Sequence, residues 1–274
     1  MAISVLTNVT SMLAQSNLGR ASGDLSESMT RLSSGLRVRS AADDAAGLAI
    51  SEDFKAKTRG LNQARRNAND GVSLAQTADG SLKEIGGMLN RMRELAVQSA
   101  TGTINDEQRG YLNDEFTQLK SEVDRIAATT EFNGVSLLNG DSASGIDFQV
   151  GAGNSANDRL TLALATASAS AFAINDNVIS AASKALSTIS ALDAAITAVS
   201  SRRGTIGAMQ NRLSVTMSNL DTYSTNLEAA NSRIVDVDVA SETARLTKQQ
   251  ILVQAGASML AQANQGPQIA LSLI

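Results

Sequence analysis

Two acidic neighbours, Asp43 and Asp44, and the charged run Arg91, Arg93 and Glu94 are the groups that acid–base chemistry would use first. Adjacent residues on a helix do not face each other, and carboxylates gather at helix starts for electrostatic reasons. Asp43-Asp44 therefore reads as the start of a helix, and Glu94 with its arginines as a solvated helix face. The many serines lack the base that usually activates them, because the chain contains no His. Lysine does not replace it: Ser51 and Lys55 miss the Ser-x-x-Lys spacing. Without Cys there is neither thiol chemistry nor a disulfide, and without His the commonest metal ligand is missing.

Asp236, Asp238 and Glu242 lack the glycine and the oxygen-ligand spacing of a calcium loop, so a helix cap is the better account. No Gly-Lys-Ser or Gly-Lys-Thr occurs to cradle phosphate. Gly23, Gly86 and Gly87 fall inside helical patterns and read as close-packing sites. Asn8-Val9-Thr10 has the form of a glycosylation acceptor, in a helical context that suits it poorly. No catalytic, cofactor or metal site is expected, and an enzyme is not.

The elements that would position such residues are long helices. Aromatics make up 3% of the 274 residues and there is no Trp, which disfavours one thick core and favours thin bundles with alanine at the contacts. The one proline, Pro267, stands near the end, so almost the whole chain lacks this helix breaker. The net charge of -4, with no arginine-rich arm, argues against nucleic acid. No apolar run is long enough to span a membrane, and Met1 to Arg20 lacks the features of a conventional secretory signal.

Heptad spacing is the strongest pattern. Leu61, Ala64, Ala68, Gly71, Ala75, Ala78, Leu82, Ile85, Leu89, Met92 and Ala96 alternate three and four apart, lining one face of a helix. That helix is expected over about 44–99, roughly 80 Å long, with Ser40 and Asp43 at capping-box spacing and Gly71 as the soft point of its seam. Asn105 and Gln108 form a second cap pair, followed by the stripe Leu112, Phe116, Leu119, Val123 and Ile126, with Lys120 and Asp124 as a surface pair. Asn133-Gly134 and Asn139-Gly140 signal turns, and Ile146 to Val150 alternates as a strand does, which predicts one β-hairpin or two within about 130–162. Residues 163–173 read as a small-residue linker. Ala185, Leu192, Val199, Ile206, Leu213, Leu220, Leu227 and Ile234 then mark a helix over about 176–230. In its companion row, Arg203 and Gln210 either set register or mark a shift of the seam.

The termini mirror each other. Leu18, Leu25 and Leu32 form a row with Met29 and Leu36 beside it; Val239, Leu246, Val253 and Leu260 form another, flanked by Leu252 and Met259. Leu18, Leu25, Leu32, Leu246, Val253 and Leu260 are the expected packing residues, with the two terminal helices paired. Ile3, Val5, Leu6, Val9, Leu13, Ile269, Leu271, Leu273 and Ile274 would stay exposed in a lone subunit, which points to assembly. The expected fold is mainly α: long antiparallel helices in a bundle or coiled coil with a small β-hairpin region. Its expected division is 1–43 with 231–274 as the terminal-helix domain, and 44–230 as a helical core domain.

Several motifs are more specific. They are Arg31-Leu32-Ser33-Ser34-Gly35-Leu36-Arg37, Ser40 to Ser51, Asn69-Asp70-Gly71-Val72-Ser73-Leu74-Ala75-Gln76-Thr77-Ala78, Thr130-Glu131-Phe132-Asn133-Gly134, Gly207 to Leu213, Ser232-Arg233-Ile234 and Leu260 to Gln265. In their order and spacing the chain resembles bacterial flagellins of the short, core-only kind.

The resemblance implies a structural subunit of the extracellular flagellar filament, serving motility. It also implies a homo-polymer, export through the flagellar type III apparatus, a chaperone for the C-terminal region, and capping and hook-filament junction proteins as partners. The turn from Ser34 to Ala46 corresponds to the connection between domains. The absence of a large insertion implies that outer variable domains are missing. The surface recognised by a vertebrate innate-immune flagellin receptor maps to Arg91, Leu95 and Glu115. A hook-filament junction protein, which shares the terminal helices, is the alternative.

Overall fold

The computed structural model describes residues 7–272, with side chains described as far as Gln265. The expected exposure of Ile3, Val5, Leu6, Ile269, Leu271, Leu273 and Ile274 falls outside these. Five long helices follow in order: α1 (Val9–Ser34), α2 (Ala45–Ala100), α3 (Asp106–Thr129), α4 (Ala182–Val235) and α5 (Val239–Ser272). Between α3 and α4 stand β1 (Glu131–Phe132), β2 (Val135–Ser136), β3 (Ile146–Gln149) and β4 (Arg159–Leu162). The chain divides into two compact units, residues 1–56 with 226–274, and residues 57–225.

The expected caps are present, with one change. The Asn105 side chain accepts from the Gln108 amide at 2.8 Å while Gln108 reaches back to the Asn105 amide, which starts α3. Before α2, Asp43 closes the turn instead of capping the helix: its Oδ2 accepts from the amides of Arg39 and Ser40 and from the Ser40 hydroxyl. Those amides hold the Asp43 carboxyl below its ordinary pKa. Asp44 does the capping, accepting from the Gly47 amide at 2.9 Å. Asp238 starts α5 in the same way, accepting from the Ala240 amide at 3.0 Å.

In the unit of residues 57–225, α2 and α4 run antiparallel and their seams are buried as expected, from Leu61 and Ala64 to Met92 and Ala96 on α2 and from Ala185 to Leu220 on α4. Three cross-helix ion pairs flank the seam: Arg93–Asp193 at 2.6 Å, Asp79–Arg203 at 2.7 Å and Arg65–Asp221 at 3.1 Å. Arg65, Asp79 and Arg93 each follow a seam residue, namely Ala64, Ala78 and Met92. Arg203 thus leaves the apolar row because it pairs with Asp79. Gly71 is a close-contact site. A Cβ there would come within 3.1 Å of the Phe148 ring, so the missing side chain admits this β3 aromatic to the core.

The β region is two separate antiparallel pairs, β1 with β2 and β3 with β4. Asn133 and Gly134 turn the first with positive φ at both residues, the geometry that Asn-Gly favours. In the second, Ile146 opposes Leu162 and Phe148 opposes Leu160. This matches the expectation of a small β region resting on helices.

Residues 163–181 are not a featureless linker. Leu164, Ala167, Ala169, Phe172, Ile174 and Ile179 are buried in the same core as the α2–α4 seam. Ala167 donates to the Leu138 carbonyl at 2.8 Å, and Ala169 to the Asp124 carboxylate at 2.7 Å. Lys120 donates to the Asn175 carbonyl at 2.6 Å and Asn113 accepts from the Ile179 amide at 2.9 Å. Lys120 and Asp124 therefore serve this strap and do not form the expected surface pair. Arg202 stacks on Phe172, 4.6 Å from the ring centre, and donates to the Thr166 carbonyl. Partial burial lowers its pKa. The strap also delays the start of α4 to Ala182, since Ser99, Asn113 and Thr188 hold Val178 and Ile179 in non-helical geometry.

Candidate assembly surface

The unit of residues 1–56 and 226–274 is built differently. α1 and α5 pair antiparallel: Asn8 Nδ2 donates to the Ala263 carbonyl at 2.9 Å, Ser11 to Asn264 Oδ1 at 2.8 Å, and Gln249 to Asp24 Oδ2 at 3.3 Å. Asn8 also caps α1 by accepting from the Ser11 amide at 3.1 Å, so the asparagine of the glycosylation-like triplet is structurally engaged.

Leu18, Leu25 and Leu32 on α1 and Leu246, Val253 and Leu260 on α5 are all half-buried. Each lies on the half-buried or buried face of its helix. Sequence reading missed the companion rows. On α1 they are Ser11, Ala14, Ala21 and Ser28; on α5 they are Glu242, Gln249, Gly256 and Ala263, all less exposed than their neighbours. Together with the leucine rows they alternate three and four apart, a signal hidden because small and polar residues carry it. A Cβ on Gly256 would stand 3.3 Å from Leu18, so the helices approach closely at this layer.

The seam consumes only part of the apolar surface. Met29, beside the leucine row, is exposed, and so are Val239, Leu252 and Met259, along with Val9, Met12, Leu13 and Ile251. A groove of about 660 Å³ opens between the two helices, lined among others by Leu13, Leu18, Ala21, Leu252 and Met259. Buried polar atoms also stand without partners here: Arg31 Nε, Glu242 Oε1 and Gln249 Oε1. This surface lacks a third layer to cover it. Gly23, expected at a close contact, faces open space, as does Gly87 in the other unit, whereas Gly86 meets Val199 at ordinary contact distance.

The turn after α1 is hydrogen-bonded to the residues that end and follow α4. The Gly35 amide donates to Arg31, the Val237 amide to Gly35, and Leu36 bridges Asp236. The Arg37 and Val38 amides share the Val235 carbonyl, and both Val38 and Val235 are buried.

Arg91 and Glu115 lie together on the surface of the middle unit. Arg91 Nη2 meets Glu115 Oε1 at 2.8 Å, and Arg91 Nη1 donates to Glu94 at 3.1 Å. The hydrogen bond that Arg91 donates to Glu115 is the leading cause of its raised pKa, with the one to Glu94 next. Leu95 is 0% exposed. It sits on the core side of α2, so it supports this patch from beneath and is not a side-chain contact on the free surface, contrary to expectation. Arg109, not singled out from sequence, holds the turn between α2 and α3 by donating to the Ser99 and Thr101 carbonyls at 3.0 and 2.8 Å.

Among the described residues there is no group of three or more metal-ligating side chains, and no helix is long and apolar enough to cross a membrane. Residues 5–143 match the family model for the bacterial flagellin N-terminal helical region, and 189–274 that for the C-terminal helical region. A flagellin of Halalkalibacterium halodurans is 48% identical over 267 residues, covering 97% of this chain and 98% of the relative. The flagellar filament 33 kDa core protein of Treponema phagedenis is 42% identical over 282 residues, with coverage of 97% and 98%. The crystal structure of Bacillus cereus flagellin matches with a TM-score of 0.50 and 34% identity, over 61% of this chain and 94% of that one. A putative flagellar hook-associated protein from Vibrio parahaemolyticus matches at TM-score 0.59 but 13% identity over 71% of this chain and 100% of that one, a likeness of fold alone. With near-complete coverage by relatives of similar length and matches at both ends, the chain belongs to the bacterial flagellin family.

Proposed function

We infer that this chain is the structural subunit of a bacterial flagellar filament, an extracellular appendage of motility, and that it polymerises through the α1–α5 unit. One observation carries the reading. The α2–α4 seam of the middle unit is buried beneath its own α3, hairpins and strap, with Val97, Tyr111, Leu186 and Val215 exposed singly outside it, whereas neither terminal helix has such a cover and the pair leaves Val9, Met12, Leu13, Met29, Ile251, Leu252 and Met259 exposed. Full burial of such side chains is worth about 1.5–3 kcal/mol each, against the cost of ordering and association. Copies that add heterologously, one surface against a different one, form an open helical array.

A chain lacking residues 1–35 should keep a folded middle unit yet fail to extend filaments, as judged by electron microscopy. Normal polymer from that deletion would sink the proposal. The hook-filament junction alternative is not favoured, since relatives that match almost the full chain are a flagellin and a filament core protein. Labelling in the cell separates the two: a filament subunit marks the full length, a junction protein a short zone.

Family membership supports, as part of the same proposal, the remaining partners and the export route. Export through the flagellar type III apparatus, a chaperone on the C-terminal region, and junction and cap proteins at the ends of the polymer suit a subunit whose terminal helices carry uncovered apolar surface. For the vertebrate innate-immune receptor, the contact reduces to the exposed Arg91–Glu115 pair, with Leu95 as its support. Titration of folded monomer against such a receptor, with Arg91→Ala and Glu115→Ala for comparison, tests it; absence of binding by the parent ends that part.

A further inference from the structure

The chain has eight methionines and no cysteine, so thioethers are its only sulfur chemistry. Their surroundings differ by unit. In the middle unit Met92 and Met209 are buried, and Met88 and Met217 are partly buried against the core. In the terminal unit Met12, Met29 and Met259 are 62%, 55% and 64% exposed. They stand on the helices that carry the uncovered apolar side chains, and Met259 lines the α1–α5 groove with Leu13 and Leu252.

We propose that Met12, Met29 and Met259 form an oxidation-sensitive modification site on the assembly surface, where peroxide blocks subunit addition until the sulfoxides are reduced. The inference rests on the assembly reading above. A sulfur lone pair attacks one peroxide oxygen, the O–O bond breaks, and the departing hydroxide takes up the proton as water. Sulfur gains an oxygen and loses two electrons, and the peroxide is reduced by two. The product replaces a flexible apolar side chain with a polar one. On this surface it must then be buried among leucine, isoleucine and valine, where a polar oxygen without a hydrogen-bond partner is penalised. Access decides which sulfurs react, so the fold directs oxidant to these three and shields Met92 and Met209. Once a copy is added, the same burial closes its sites, which confines sensitivity to the free subunit and the growing end.

The test is seeded elongation of the full chain on sheared polymer, before and after hydrogen peroxide, with peptide mapping by mass spectrometry. Sulfoxide is expected at Met12, Met29 and Met259 ahead of Met92 and Met209. Elongation should fall about tenfold or more, given the desolvation penalty of three polar groups. The two stereospecific methionine sulfoxide reductases should restore it. The variant Met12→Leu/Met29→Leu/Met259→Leu keeps apolar volume and should elongate equally with and without peroxide. Unchanged elongation of a parent shown to carry all three sulfoxides overturns the proposal, and so does a triple variant inhibited as strongly as the parent. If the untreated, folded parent does not elongate, the assembly reading itself fails, and this inference falls with it.

Discussion

The α2–α4 pair and the α1–α5 pair are both antiparallel helices with three-four spacing, yet only the first has a finished core. Along α2 the seam from Leu82 to Ala96 is almost fully buried, because α3, the hairpins and the strap cover it from further sides. Along α1 only Ser11, Ala21 and Ser28 are buried, and the three leucines remain half-covered. Two helices in contact shield one stripe of each; a third layer is needed to shield the rest. The difference teaches that periodicity identifies a contact face but says nothing about how many partners will occupy it. In the middle unit the partners are supplied by the same chain. In the terminal unit other copies of the chain are the partners we propose.

The sharpest way to break this contrast is to truncate one leucine in each pair. Leu89→Ala, at a fully buried position, should destabilise the middle unit by about 3 kcal/mol in denaturant unfolding, by lost burial plus a cavity. Leu25→Ala should cost the monomer about 1 kcal/mol, because its side chain is already half in water, while reducing seeded elongation. Equal losses of monomer stability would remove the distinction.

Next in size is the strap. Phe172→Ala removes a buried ring and the stack beneath Arg202, and about 3 kcal/mol of middle-unit stability should go with it. A loss close to zero would return residues 163–173 to the status of a linker. The start of α3 gives a smaller effect: Asn105→Ala should cost about 1 kcal/mol through its unsatisfied amides, read as a lower unfolding midpoint of the middle unit.

The smallest effect belongs to Asp43 in the terminal unit. Its pKa is lowered in the fold by the Arg39 and Ser40 amides, so its stabilisation is complete above the ordinary carboxylate range. That stabilisation is lost as pH falls through the lowered folded value, below about pH 4. An Asp43→Asn variant should therefore be less stable than the parent at neutral pH and converge with it in acid. A gap that widens on acidification would reverse the sign and refute the assignment.

Both long seams, the caps at Asn105 and Asp238, the Asn133-Gly134 turn and the family were legible in the amino-acid sequence. Each of these depends on residues close in the chain or on large apolar side chains at a regular interval, so the cause and its pattern coincide. Leu18, Leu25 and Leu32 fall on the half-buried stripe of α1, the stripe that their spacing marks. Whether Met29, Leu252 and Met259, beside the terminal rows, face a neighbour or water was not legible, because an apolar residue flanking a stripe looks the same in either case.

Tertiary structure alone decided the rest. Ala-Leu-Ala-Thr-Ala-Ser-Ala-Ser-Ala-Phe-Ala has no period to read, and small residues are buried only where something packs upon them. Here Arg202 and Asp124 hold that segment on the core at Thr166 and Ala169, and Lys120 and Asn113 hold the residues after it at Asn175 and Ile179. Leu95 lies beneath Arg91 and Glu115 because α3 and the strap close the far side of α2, a contact between residues distant in sequence. The sequence by itself determined where helices form and which stripe each presents; long-range packing determined which stripes are satisfied, because burial depends on every layer that arrives and not on the spacing within one.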